Sequence, residues 1–285
     1  MESIAYYDGK IGAPEELMVP FNDRVHFFGD GCYDATVGAN GKVYLLQNWD
    51  YRPWVERHAV IVDIDDLQGT HIIGVTEAGQ LVRNGMNNHG IGLCANNLTS
   101  IYDSGDIGAP VTFVRRKALN SRCFQEMVDV VTSAKRGVSC NFMLASAENM
   151  AVDLETTPKK IYQVQPENGI VTHANHMIAG AAACTNQGTK FRDGVLRRLL
   201  QQGNGTLSFS DIREALCNHE RFPGAGDTYP ESNCIEAVCS HVPHGEYDEC
   251  KVWKTIASSI YDLTAGVAYI CKGCPCENEY QTFPL

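Results

Sequence analysis

No apolar run in this chain of 285 residues approaches the length of a membrane span. Its opening residues 1–8 show neither a cationic start nor an apolar stretch of signal-peptide length. A cytoplasmic protein is therefore expected. Positive charge is scarce: 23 Lys and Arg against 34 Asp and Glu leave a formal net charge of -11, with the acidic residues interspersed. No basic patch offers itself to nucleic acid, and the same excess of negative charge opposes an anionic membrane surface. Internal repeats, heptad runs and low-complexity linkers are also lacking. Small molecules remain as the expected partners, and a homo-oligomer is compatible with everything in the sequence. The 44% hydrophobic content supports a large core, and one catalytic domain is preferred although the length would allow two.

Cysteine is not scarce. Twelve are present, and 271–276 reads Cys-Lys-Gly-Cys-Pro-Cys, like half of a zinc or cluster site. Cys234, Cys239 and Cys250 do not supply a matching second pair at metal-ligand spacing, so no metal is expected. Cys94, Cys123, Cys140, Cys184 and Cys217 read as reduced thiols in or near the core.

Periodicity divides the chain into strands, helices, strands, helices and strands. Alternation at 59–64, 71–75, 80–86 and 90–95 predicts an antiparallel meander punctuated by glycines. Helical spacing follows at 110–121 and 123–133, with Ser121 as the expected cap of the second helix. Strands resume at 141–145 and 150–155, helices at 191–202 and 210–217, and a final hairpin turns around 264–266. The stretch 222–233, rich in Gly, Pro and acidic residues, reads as an enlarged loop.

Gly31-Cys32 carries the chemistry. A strand from Cys32 to Val37, a turn at 38–41 and a second strand from Lys42 to Asn48 would form a hairpin that sets Asp50 near Cys32. Were the Gly31-Cys32 bond cut, Cys32 would gain an α-amine with a pKa near 8, able to take the thiol's own proton. Glycine at 31 tolerates the strained backbone such a self-cleavage requires.

Gln47-Asn48-Trp49-Asp50, Thr76-Glu77-Ala78-Gly79, Asn87-Asn88-His89-Gly90-Ile91-Gly92, Asp153-Leu154-Glu155-Thr156-Thr157-Pro158, His173-Ala174-Asn175-His176 and Pro275-Cys276-Glu277-Asn278-Glu279-Tyr280 occur in a family order. Over about 43–285 the chain resembles the penicillin acyltransferase (acyl-coenzyme A:6-aminopenicillanic acid acyltransferase) family of N-terminal-nucleophile hydrolases. The resemblance implies an α+β fold, a four-layer αββα sandwich, with residues 1–31 as a propeptide-like or aminotransferase-like segment and 32–285 as the hydrolase domain. It implies Cys32 as nucleophile, Asp50 as the residue that orients its amine, and Asn175 as the oxyanion donor. Asn88 and Asn96 are weaker candidates for substrate contact. The family often has arginine in an Ile-Cys-Arg-His motif where Val238-Cys239-Ser240-His241 stands here. Ser240 is therefore a substrate-side candidate in its place, and Arg52 is a candidate substitute for the missing charge. The family usually follows its nucleophile with Thr or Ser, whereas Tyr33 follows here.

Residues 1–46 tell a second story. Tyr6-Tyr7-Asp8-Gly9-Lys10 and the run 19–36 resemble the opening of a class IV pyridoxal-phosphate aminotransferase of the D-amino-acid type. That family holds its cofactor on a downstream lysine. Lys117, Lys135, Lys159 and Lys160 lie in segments that match the hydrolase instead, so no cofactor is expected. The leading expectation is a cysteine amidohydrolase or acyltransferase acting on a linear amide of a small molecule, self-processed at Gly31-Cys32. An aminotransferase-like protein and a non-catalytic fusion are the alternatives.

Overall fold

The computed structural model describes residues 5–7, 10–12 and 32–285, apart from 104, 187, 204, 221–236 and 244; for 5–7, 10–12 and 32–39 it describes the backbone alone. The enlarged loop expected at 222–233 lies outside the described residues. Strands β1 (Ala5–Tyr7) and β2 (Lys10–Gly12) pair with each other as a small ribbon. The remaining strands build two large antiparallel sheets.

The first sheet runs β11-β10-β9-β8-β7-β6-β5. Its strands are β5 (Ala59–Asp65), β6 (His71–Glu77), β7 (Asn84–Asn87), β8 (Ile91–Asn97), β9 (Cys140–Ser146), β10 (Met150–Thr156) and β11 (Ile161–Val164). Each pairs with its neighbour in sequence, which is the expected meander. The second sheet runs β12-β3-β4-β13-β14-β15. It consists of β3 (Cys32–Ala39), β4 (Lys42–Tyr51), β12 (Ile170–His173), β13 (Lys254–Asp262), β14 (Val267–Lys272) and β15 (Gln281–Pro284). Helices α1 (Val111–Ala118) and α2 (Phe124–Ser133) cover the first sheet, and α3 (Lys190–Gln202) and α4 (Phe209–Leu216) cover the second.

Strand β4 shows how the layers are made. Alternate side chains leave a strand on opposite faces, so Leu45 and Trp49 join Met86, Met143 and Tyr261 between the two sheets. Tyr44 and Leu46 pack instead against Leu196, Leu200, Ile212 and Leu216 of the helices. Burying Leu45 and Leu46 completely on both faces stabilises the centre of the sandwich by about 2 kcal/mol each. A third apolar layer, with Leu93, Phe142 and Leu144 against Val114, Met127 and Val131, seats α1 and α2. Together these make helix, sheet, sheet, helix. Gly92 sits where the sheets approach closely: a Cβ there would lie 2.9 Å from the Leu263 side chain and 3.0 Å from that of Leu45.

Two local expectations change. Residues 80–83 precede β7 rather than belonging to it. Ser121 does not cap α2; Cys123 holds the N-cap position, and the Ser121 carbonyl accepts a bond from the Asn87 amide, 2.8 Å away. Strand β3 lies inside the second sheet between β12 and β4, so the sandwich includes residues before the stretch, about 43–285, that carries the family resemblance. Among the described residues no helix is long and apolar enough to cross a membrane.

Candidate active site

The β3-β4 hairpin turns at Asn40-Gly41, with φ of 53° and 75°. Two successive left-handed residues make the turn that matches the twist of paired strands, and Asn-Gly is the pair best suited to it. The turn fixes the register: Tyr33 opposes Asn48 and Cys32 opposes Trp49. Continuing that antiparallel order toward the amino terminus, the backbone nitrogen of Cys32 lies on the side of Trp49 where Asp50 follows. An amine released at Cys32 would thus stand level with Asp50.

Asp50 is almost fully buried, with 1% of its surface exposed. A buried carboxylate is costly unless bonded and neutralised. Thr255 Oγ1 donates to Asp50 Oδ1 at 2.6 Å, and Ser240 Oγ donates to Oδ2 at 3.2 Å. The Arg192 guanidinium, on the first turn of α3, lies 3.7 Å from Oδ2. Its other amino group donates to Asn175 Oδ1 at 2.5 Å. One guanidinium therefore joins Asp50 to Asn175. By engaging Oδ1 it also fixes which way the Asn175 amide faces. Asn175 Nδ2 donates to the Asn97 carbonyl at 3.1 Å, and that amide nitrogen carries a second N–H.

Asn175 follows β12 in a loop held from beneath by a buried ionic cluster. Glu155 accepts from the backbone N–H groups of Ile178 and of Gly180, the latter at 2.7 Å, and faces His173 Nε2 at 3.1 Å. Asp153 lies 3.7 Å from the same nitrogen and accepts from Asn141 at 2.5 Å. Burial works against a charged His173, but Asp153 and Glu155 outweigh it and raise its pKa to about 9. Burial raises Asp153 to about 7. Burial, reinforced by the charge on His173, lowers His176 to about 4. The two rings stack with centroids 6.1 Å apart, so a cationic His173 sits under a neutral His176. Both histidines are bonded into the support of the loop, His173 to Glu155 and His176 Nδ1 to Thr189 Oγ1 at 2.9 Å.

Several motifs prove to be joints of the sandwich. Gln47 accepts from Asn84 and donates to the Ala95 carbonyl of the opposite sheet. Asn48 donates to Leu216 at the end of α4 and to Val238, and Ser258, itself bonded to Tyr280, donates back to it. Glu77 forms a buried two-pronged ion pair with Arg83.

The remaining candidates separate. Asn96 is buried beside the site, bonded to the Ala174 carbonyl and 3.4 Å from His173 Nδ1, so it supports the Asn175 loop. Asn88 does not belong to the site. The β7-β8 pairing places Asn87 and Asn88 at the Ile91 end of β8, opposite Asn96 and Asn97. There the exposed Asn88 side chain bonds His71 N and the Gly69 carbonyl and closes a surface turn. Ser240 is a partner of Asp50 itself. Arg52 leaves the sheet where Pro53 starts a short 3-10 helix; it stacks 4.0 Å over Trp253 and donates to the Val252 carbonyl. The charge at Asp50 comes from Arg192 instead. No local pattern singles out Arg192 or Thr255, although the serine at 240 signals that an arginine should come from elsewhere.

The expectation that the cysteines lack metal-site partners also changes, because histidines complete the set. Donor atoms of His219, Cys239, His241 and Cys276 all lie within 4.8 Å of one another. Among the described residues Cys94, Cys123, Cys140, Cys184 and Cys217 form no disulfide; Cys94 and Cys140 are buried and Cys123 is exposed.

The two sheets between helical layers, with a nucleophile candidate opening a central strand, define the N-terminal-nucleophile hydrolase fold. The model of the acyl-coenzyme A:6-aminopenicillanic acid acyl-transferase family matches residues 36–277, and the chain belongs to that family. It is 26% identical over 238 residues to the 40 kDa form of acyl-coenzyme A:6-aminopenicillanic-acid-acyltransferase of Emericella nidulans, covering 78% of this chain. It spans 64% of that relative's length. Among solved structures, it resembles the Caenorhabditis elegans N-acylethanolamine-hydrolyzing acid amidase ortholog, with a TM-score of 0.54, 15% identity, and coverage of 82% of this chain and 93% of that one. A variant of conjugated bile acid hydrolase from Clostridium perfringens gives a TM-score of 0.55 at 14% identity, covering 89% of this chain and 97% of that one. None of these comparisons supports the aminotransferase resemblance of residues 1–46. The family match takes in residues from 36 onward, and 32–46 form interior strands of the hydrolase sheet.

Proposed function

We propose that the chain is a cysteine N-terminal-nucleophile amidohydrolase or acyltransferase that cleaves, or transfers the acyl group of, a linear amide in a small molecule. The observation that carries this is the Asp50-Arg192-Asn175 arrangement beside the start of β3. Residues 1–31 would be a segment removed by cleavage at Gly31-Cys32, and 32–285 the catalytic domain. A cytoplasmic location and a small acyl amide as partner complete the reading.

In this mechanism the α-amine of Cys32 takes the proton of its own thiol. The thiolate attacks the amide carbonyl, and the second N–H of Asn175 meets the oxyanion as charge develops. Buried Asp50 offsets the charge on the ammonium, while Thr255, Ser240 and Arg192 keep that carboxylate in place. Collapse expels the amine, which leaves with the proton held at the Cys32 nitrogen. Water, or a second amine, then attacks the thioester, gives its proton back to the same nitrogen and regenerates the thiol.

The family's reaction class supports the type of bond, and the acyl group is a question for assay. Processed protein should release acid from at least one class among N-acyl amino acids, N-acyl amines and acylated β-lactam nuclei, and Cys32→Ala should not. Equal release by Cys32→Ala, or no turnover by processed protein on any class, would contradict the proposal.

A further inference from the structure

Away from Asp50, five soft or borderline donors meet where three segments of chain converge. His219 follows the end of α4, Cys239 and His241 flank Ser240, and Cys274 and Cys276 follow β14. Four of their atoms face a common centre. Cys239 Sγ and Cys276 Sγ are 3.7 Å apart, and His219 Nε2 and His241 Nε2 are 3.1 Å apart. His241 Nε2 lies 3.4 Å from Cys239 Sγ and 3.2 Å from Cys276 Sγ.

These are four of the six edges of a coordination tetrahedron, and the other two, from His219 to each sulfur, are within 4.8 Å. With zinc bonds of about 2.3 Å to sulfur and about 2.05 Å to nitrogen, tetrahedral geometry requires about 3.75 Å between sulfurs, about 3.55 Å from sulfur to nitrogen and about 3.35 Å between nitrogens. Each of the four distances agrees to within a few tenths of an ångström. We propose that His219, Cys239, His241 and Cys276 bind one zinc ion as a closed Cys2His2 site.

The surroundings of the donors point the same way. His241 presents Nε2 to the centre and turns Nδ1 toward Glu277 Oε1 at 3.5 Å, which is how a carboxylate orients a metal-binding imidazole from behind. Cys274 lies 3.7 Å from that same Nδ1. Its Sγ points to the carbonyls of Ser240, at 3.5 Å, and Thr255, at 3.4 Å, on the Nδ1 side of the His241 ring rather than the Nε2 side that faces the centre, which leaves it outside the four-donor set. Cys276 is exposed and His219 partly so, which gives an ion a way in. Two thiolates and two neutral imidazoles neutralise a divalent cation, and the ligand set selects zinc over magnesium or calcium. Binding displaces the thiol protons to solvent and leaves no open position on the metal, so the ion is structural.

Its place in the fold gives it a task. Ser240 lies between two of the ligands and donates to Asp50. The ion would tie the 237–241 segment, the end of α4 and the carboxyl-terminal tail into one unit that fixes one wall around Asp50.

The test uses the whole protein, produced with zinc under reducing conditions and freed of loosely held metal. Elemental analysis should find about one zinc per chain, and cobalt(II) exchange should produce the intense visible bands of a tetrahedral site with sulfur-to-cobalt charge transfer in the near ultraviolet. Cys276→Ser, at an exposed position, should lose the metal and the spectrum while keeping its circular dichroism. Cys250→Ser, at an exposed cysteine outside the cluster, should keep both. A wild-type chain without zinc or tetrahedral cobalt bands would overturn the site. So would a Cys239-Cys276 disulfide in peptide maps of the native protein, or full metal retention by Cys276→Ser.

Discussion

Asn88 and Asn96 stand in one stretch of sequence, yet they occupy opposite ends of β8 and do opposite things. At the Asn88 end, polar side chains close turns in contact with water, and the amide bonds the backbone of residues 69 and 71. At the Asn96 end, carboxylates, an imidazolium and a guanidinium are held out of water around the loop that carries Asn175. Charge kept in a dry interior is expensive, and its concentration at one end of the sandwich supports the proposal that the chemistry belongs there.

The largest expected effect belongs to the nucleophile. Cys32→Ala should abolish turnover in an acid-release assay, and retained turnover would move the chemistry away from the start of β3. Next comes the ionic cluster beneath the loop. Glu155→Gln leaves the His173 charge and two backbone N–H groups poorly matched, and should cost about 3–5 kcal/mol in denaturant unfolding. A loss under about 1 kcal/mol would mean that the cluster does not hold the Asn175 loop. Asn175→Ala should cost about 3 kcal/mol of transition-state stabilisation, read as a fall of about 100-fold in kcat. An unchanged kcat would remove its oxyanion role.

A pH profile sharpens the contrast further. Folded His173 keeps its proton to about pH 9, whereas an unfolded histidine loses it near 6.5. The stability this contributes is full below about pH 6.5 and is lost as pH rises through about 9. Burial lifts Asp153 to about 7, which adds a loss of the same sign as pH rises from about 4 to 7. Melting temperature should therefore fall between pH 6.5 and 9, and His173→Gln should flatten that slope; an equal slope in the variant would place the titration elsewhere. The smallest effect is reserved for the other end: Asn88→Ala should leave kcat unchanged and shift stability by less than about 1 kcal/mol. A marked loss of kcat there would break the distinction between the two ends.

What the sequence made legible follows from the range of its signals. The Asn-Gly turn, the meander and the four helices rest on neighbours in the chain, and local periodicity reports those directly. Strands β11, β12 and β15 escaped because each has four residues and little alternation; all four of β12 are buried. The family motifs indicated Asp50 and Asn175, and the structure brings them within the span of one side chain. That side chain, Arg192, was invisible in sequence because nothing around Lys190-Phe191-Arg192-Asp193 records a partner on β4. The same reason hid His219 and His241 from the cysteines they face. Asn88 misled because a turn asparagine and a site asparagine share one residue type, and only the register of β7 against β8 tells them apart.

Everything proposed for the Asp50 end requires that Cys32 carry a free amine. Intact mass measurement with amino-terminal sequencing of the purified, folded protein tests this directly. The account predicts a chain beginning Cys32-Tyr33-Asp34, separated from the preceding segment at Gly31. A folded protein in which the Gly31-Cys32 bond remains whole would leave an amide where the base must be, and would contradict it.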